Sequence, residues 1–401
     1  MNTSYHEGLQ ILVNSGNNDL ICSSIKTSLS GHLVSVFSST DRYHNSSQIS
    51  ARVVSKNGIL NTSFIVPDMT TGIQKDADIA PIDGTDKFIA VWASSAASSN
   101  YRIYMRSFTL DNKGKLINET VGIQVSQSNG DYVAPRVIYN KAHKIVLVMW
   151  ASVADKEIQF KAYKIDANGG FTEASYQQSL DDTFTSEYFT SSLDLSNNTT
   201  LSLSFLNVGE KALAVIKKDR DTLGFYTLSP AGGGKIDQTH LIDYAVTNIA
   251  TFSVAYDSAA PAFKIVYVRT GQSDVYGDTI SYFPTVRHAQ VFANEITLNQ
   301  SNHNCERPFI QRTPAIDTSG ERYFVVAWET YAAGAFYNEF TSDFAQVSTE
   351  QEINQGDTTT DNPRIVVTDN QTVVIVNASK FRNESMSGTG ILYNVETHQS
   401  A

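Results

Sequence analysis

The chain has 401 residues, a formal net charge of −11 and only 18% charged residues. That acidic balance lacks the basic footprint that nucleic acid or an anionic membrane surface requires, so neither is expected as a partner. No run approaches the roughly 18 apolar residues of a spanning helix, and the N-terminus joins no basic residues to an apolar core, so neither membrane insertion nor a signal peptide is expected. The two cysteines, Cys22 and Cys305, make no disulfide framework. Abundant Ser, Thr, Asn, Val, Ile, Tyr and Phe are the residues of strands and polar turns, which predicts an all-β chain.

In chain order, a first strand is expected over residues 9–13, then one over 21–27 and an apolar strand carrying Phe37. Residues 49–54, the turn Lys56-Asn57-Gly58 and residues 64–66 complete a unit of four strands. The next unit centres on Trp92 and continues through 101–110, the turn Asp111 to Gly114, and 122–125. The third is the cleanest, with strands at 134–138, 145–151 around Trp150 and 158–165, then the turn Asp166 to Gly169. The glycine in each turn supplies the positive φ that a tight hairpin needs. Further anchors follow at Phe205, Tyr267, Trp328 and Asn377, so the anchors recur in steps of 49 to 62 residues along the whole chain. Short strands at a constant long period predict one β-propeller domain over residues 1–401, with seven blades of four antiparallel strands.

Pro135, Pro314 and Pro363 are read at the start of the first strand of their units. Proline removes a backbone donor and is tolerated there because that strand is an edge. The last unit lacks an outer strand, and the N-terminal strand is expected to supply it by pairing residues 9–13 with 391–396. Such pairing would close the ring and remove exposed sheet edges.

The pattern Val-Val-x-Trp, strand, Asp-x-x-Gly resembles the propeller repeats of secreted and surface proteins of bacteria. The resemblance covers all seven units and concerns blade architecture; Phe205, Tyr267 and Asn377 replace the Trp of the pattern. It implies an extracellular or cell-surface location. Neither a Trp-Asp dipeptide, a kelch double glycine nor an Asp-box is present.

Recognisable catalytic motifs are absent: there is no Gly-x-Ser-x-Gly elbow and no His-Glu-x-x-His. Gly232-Gly233-Gly234-Lys235 resembles the end of a phosphate loop, but Ile236 follows where a magnesium-holding hydroxyl should stand, so it reads as a hairpin tip. His303, Cys305 and Glu306 read as a polar loop with one thiol. Neither a metal nor a cofactor is expected, and no residue is assigned a catalytic role.

The functional reading rests on loops. Residues 271–285, 301–312 and 331–337 are read as long connections emerging on one face. They present Tyr276, Tyr282, Phe283, Arg307, Phe309, Tyr331, Phe336 and Tyr337, with Glu329 beside them. Aromatics with arginine dominate binding hot spots, which predicts a non-catalytic module that recognises a glycan or protein partner. Two alternatives remain open: a glycan-acting hydrolase or lyase with its site at the channel mouth, and a structural subunit of a larger assembly. Asp78, Arg136 and Arg364 share one register position and are expected to line the channel.

Overall fold

The computed structural model describes residues 10–12, 18–41, 47–54, 60–69, 71–95, 100–182, 203–258, 260–283, 288–291, 295–300, 304–313, 323–330, 334–352, 360–367, 372–380 and 386–394. These residues hold 31 strands. β1 (Gln10–Leu12) precedes a sheet of β2 (Asn18–Thr27), β3 (Leu33–Asp41), β4 (Ser47–Val54) and β5 (Leu60–Ile65). The next sheet has β6 (Gln74–Pro81), β7 (Lys87–Ser94) and β8 (Arg102–Leu110), with β9 (Leu116–Glu119) and β10 (Ile123–Gln124) both on β8. It is followed by β11 (Tyr132–Asn140), β12 (Ile145–Ser152) and β13 (Glu157–Ile165), with β14 (Phe171–Glu173) and β15 (Gln178–Ser179) on β13. β16 (Leu203–Val208), β17 (Lys211–Lys217), β18 (Thr222–Pro230) and β19 (Ile236–Ala245) form a fourth sheet.

The fifth sheet contains β20 (Ile249–Asp257), β21 (Ala262–Arg269), β22 (Val275–Phe283), β23 (His288–Val291) and β24 (Ile296–Thr297). The sixth contains β25 (Cys305–Arg312), β26 (Tyr323–Thr330), β27 (Gly334–Thr341) and β28 (Gln351–Glu352). β29 (Thr360–Val367), β30 (Thr372–Lys380) and β31 (Met386–Asn394) form the last with β1. The described residues thus form six self-contained blades of consecutive strands, not the seven expected. The remaining sheet is a composite of strands from both ends of the chain.

The chain divides into two compact units, one of Met1–Ile25 with Thr247–Ala401 and one of Lys26–Val246. Within each, period-two alternation decides the packing, because successive side chains on a strand point to opposite faces. In the Lys26–Val246 unit, Leu147, Met149 and Ala151 of β12 pack with Ala212, Ala214 and Ile216 of β17. The alternate residues Val146, Val148 and Trp150 pack with Ile89, Val91 and Ala93 of β7. Every residue of β12 is buried as a result, which is why it reads as an unbroken apolar run. In the other unit, Phe324, Val326 and Trp328 of β26 meet Val266 and Val268 of β21. Tyr323, Val325 and Ala327 turn instead to Ile365 of β29. Antiparallel sheets stacked face to face, first strand beside first strand, define an all-β fold of the β-propeller class. No helix among the described residues is long and apolar enough to cross a membrane.

Four expectations need correction. Residues 271–285, 301–312 and 331–337 are not chiefly loops, since they contain β22, all of β25 and the start of β27. Their glycines and polar residues imitate a loop, but the alternate aromatics are what a strand buries. Phe205 lies on the first strand of its sheet, β16, not on the second. Ile216 holds the sixth place of β17, the place of Trp92 in β7, Trp150 in β12, Tyr267 in β21 and Trp328 in β26. Pro314 lies outside the described residues, and Pro308 takes the position expected of it: the ladder of β25 with β26 shifts between Glu306 and Phe309. The matching bulges hold Pro135, between Val133 and Arg136, and Pro363, between Asp361 and Arg364. Finally, the N-terminal strand does pair with β31, but through Gln10↔Thr389, Ile11↔Gly388 and Leu12↔Ser387 rather than with residues 391–396. β1 thus lies opposite the first half of β31, the half nearest the β30–β31 connection.

Candidate active site

The bulge in the first strand recurs in β6, where the ladder shifts between Lys75 and Asp78. Its first residue adopts a left-handed backbone in three strands: Asp76 at φ 56°, Ala134 at 52° and Arg307 at 47°. Such a conformation costs a non-glycine residue about 1–3 kcal/mol and persists where surrounding structure enforces it. A bulge also re-aims the side chain it carries. In β6 the re-aimed residue is an acid. Asp76 Oδ2 accepts the backbone N–H of Ala134 on β11 at 3.3 Å, and Asp78 Oδ2 accepts that of Val137 at 2.9 Å. Carboxylates thereby join the two first strands, where no backbone ladder does.

Lys75, only 3% exposed, sets its Nζ 3.7 Å from the centroid of the Tyr101 ring. Tyr101 precedes β8, and its backbone N–H donates to Asp131 Oδ1 at 2.8 Å, while its carbonyl accepts from Tyr132 N at 3.0 Å. Strand ends from β6, β8 and β11 thus bring together Lys75, Asp76, Tyr101, Asp131 and Arg136. All but Lys75 keep partial exposure.

Burial dominates the electrostatics. It pushes the Asp76 carboxyl above the ordinary carboxylate value, against the pull of Lys75, Arg136 and the Ala134 N–H. It lowers Lys75, with Asp76 and Asp131 opposing it. It raises the Tyr101 phenol, and there Asp76 and Asp131 act in the same direction. The cluster therefore holds a carboxyl with raised proton affinity, a phenol with raised pKa and two basic side chains. Those are the components of proton transfer at a polar substrate.

A second polar cluster occupies the fourth sheet. Lys218 Nζ lies 2.8 Å from Asp182 Oδ2 and 3.0 Å from Asp243 Oδ2, and His240 Nε2 lies 2.9 Å from Asp243 Oδ1. Tyr226 donates its hydroxyl to Asp182. A Cβ at Gly224 would fall 2.6 Å from Tyr226 Cε2 and 2.8 Å from Lys218 Cδ, so glycine makes room for the group. Asp182, His240 and Asp243 have ligand atoms within 4.8 Å of one another, but the Lys218 ammonium already bridges both acids.

The expected ligand-binding residues fare unevenly. Tyr276, Tyr282 and Tyr337 are buried, Tyr276 stacking on Tyr267 at 5.6 Å and Tyr282 tilted against Phe263 at 5.0 Å. Aromatic rings packed inside a sheet stack are core, not a presented surface. Phe283 ends β22, without a described side chain, and Tyr331 lies outside the described residues. Arg307 and Phe336 are half-buried, and Arg307 Nη1 pairs with the buried Glu329 at 2.9 Å. Phe309 packs at the edge of a core and carries the Arg364 guanidinium 5.1 Å above its ring.

Asp78, Arg136 and Arg364 do occupy equivalent places, each directly after a bulge. Cys305 is buried, and its thiol is pushed up to about 12 by burial, then by Glu350 and Asp274, which disfavours metal binding. His303 lies outside the described residues. Asp111 and Asp166 spend their carboxylates on their own turns, accepting from Lys115 N at 2.8 Å and Gly170 N at 2.9 Å.

Lys75, Asp76 and Tyr101 were not singled out in the sequence. A signal exists: Lys-Asp-Ala-Asp78, Val-Ala-Pro-Arg136, Glu-Arg-Pro-Phe309 and Asp-Asn-Pro-Arg364 align as one four-residue bulge.

No protein-family model and no curated protein matches the chain. Among solved structures, it is similar to the polysaccharide lyase Uly1, with TM-score 0.54 and 7% identity over 93% of this chain and 90% of that one. It is also similar to a variant of NanB sialidase from Streptococcus pneumoniae, with TM-score 0.50 and 10% identity over 96% of this chain and 70% of that one. Trypanosoma rangeli sialidase gives TM-score 0.49 at 10% identity over 98% of this chain, which spans only 59% of that protein. At these identities the likeness is one of fold.

Proposed function

We propose that the protein is a glycan-acting enzyme, a hydrolase or a lyase, with its site at the bulges of β6 and β11. The observation that carries the reading is Asp76, a half-buried acid on a strained backbone whose carboxyl is raised by burial. Cleaving a glycosidic bond by either route needs a proton delivered to the departing oxygen. Asp76 is the donor in this reading, Tyr101 orients the sugar, and Lys75 and Arg136 stabilise negative charge. The lyase and sialidase of similar fold support a glycan as the partner class.

We infer further that residues 1–401 are a single β-propeller domain and that the protein works outside the cell or on its surface. The test is Asp76→Asn and Tyr101→Phe, assayed on a polysaccharide panel for new reducing ends and for the ultraviolet absorbance of unsaturated products. Loss of a proton donor should lower turnover by about 10²–10⁴-fold. Wild type that binds glycans without cleaving any would return the function to a binding module, centred on Arg307, Glu329 and Phe336.

A further inference from the structure

Arg136 has an unusual situation. It is half-buried, directly follows the bulge of β11, and donates one Nη1 hydrogen bond to the carbonyl of Pro135 at 2.8 Å. It forms no ion pair among the described residues. Arg364 makes the same local bond, to Pro363 at 3.1 Å, but lays its guanidinium on the Phe309 ring. Arg307 is committed to Glu329, and Arg106 to Glu119. The acid nearest in sequence register, Asp78, spends Oδ2 on Val137 N.

A guanidinium has five donors in a planar fork that matches a carboxylate with two parallel hydrogen bonds. Holding such a group half-desolvated and unpaired costs stability, which suits a site that an anion completes. The neighbouring acid, Asp76, stands on β6 within electrostatic range of Arg136 and turns Oδ2 to the Ala134 N–H. Lys75, over the Tyr101 ring, supplies a second positive charge within electrostatic range of Asp76.

We propose that Arg136 is the specificity residue for an acidic sugar, binding the carboxylate of a uronic or sialic acid unit beside Asp76. This rests on the reading of the protein as glycan-acting and names its substrate class. The carboxylate lies in the fork of Arg136, with the sugar ring extending toward Tyr101 and the glycosidic oxygen toward Asp76.

The test measures binding of wild type, Arg136→Met and Arg136→Lys to polygalacturonate, to polysialic acid and to carboxyl-reduced polygalacturonate. Retained cooperative melting shows that each variant is folded. Wild type should prefer one acidic polymer, and that choice separates uronate from sialate. Arg136→Met should lose about ten- to a hundredfold in affinity for it, the loss of a charged bidentate contact. If the preferred polymer is polygalacturonate, carboxyl reduction should cost wild type a similar factor and Arg136→Met almost nothing. Arg136→Lys should fall between, because it keeps the charge and loses the fork.

If polygalacturonate is the preferred polymer, its equal binding in native and carboxyl-reduced form by wild type overturns the proposal; with either polymer, wild-type affinity in Arg136→Met does so. If a neutral glycan is cleaved and Asp76→Asn abolishes the cleavage, the enzyme reading stands and the acidic-sugar assignment falls. If no glycan is bound or cleaved, the enzyme reading itself falls.

Discussion

The ammonium of Lys75 stands 3.7 Å from the centroid of the Tyr101 ring, at the ends of two strands separated by β7 in one sheet. A lysine so covered trades hydration for the face of an aromatic ring, a contact worth up to about 2 kcal/mol when desolvated. The exchange keeps a positive charge beside Asp76, whose carboxyl is nonetheless raised chiefly by burial.

The first prediction follows from Asp76. Its folded pKa is raised, so its protonation favours the native state; that contribution is complete below the unfolded pKa and disappears as pH rises through the folded pKa. Asp76→Asn should therefore match wild type below about pH 3.5 and exceed it at about pH 7.5. Thermal unfolding at the two pH values reads the difference. A gain that is the same at both would sink the assignment.

Trp92 and Trp150 hold equivalent places and are equally buried, but differ in one bond. Trp150 Nε1 donates to Gln159 Oε1 at 3.2 Å, whereas Trp92 Nε1 has no partner among the described residues. Trp150→Phe should thus cost about 1 kcal/mol more than Trp92→Phe in denaturant unfolding. Either tryptophan changed to alanine should cost about 3–5 kcal/mol.

Arg307 and Glu329 form a pair whose acid is buried. Arg307→Met leaves that carboxylate without its guanidinium and should destabilise by about 3 kcal/mol. Adding Glu329→Gln should restore part of the loss, because no charge then remains to be matched. Additive losses in the double variant would contradict this account.

Cys305 should resist alkylation in the native protein. A thiol held near 12 carries almost no thiolate at neutral pH. Peptide mapping after iodoacetamide treatment should find Cys305 unmodified until denaturant is added.

Architecture was largely legible in the residues, because short-range physics writes it there. The buried second strands, Ile145–Ser152 above all, show continuous apolar runs, and turns such as Asp166 to Gly169 show the carboxylate and glycine that their geometry demands. Local patterning misled where composition and packing disagree: Tyr276 and Tyr282 sit among glycines and polar residues, yet their alternate positions turn inward against Tyr267 and Phe263. Ile216 was hidden for the converse reason, since a β-branched residue fills the space that tryptophan fills in neighbouring sheets.

The candidate site is a different matter. The sequence placed Asp78 and Arg136 in one register but could not show the bulge that turns Asp76 toward Ala134. Nor could it show that Tyr101, Asp131 and Lys75 arrive together from separate strand ends. Periodicity determines which face of a strand is buried. Only the stacking of whole sheets decides which strand ends meet, because those contacts join residues dozens of positions apart that carry no common local pattern.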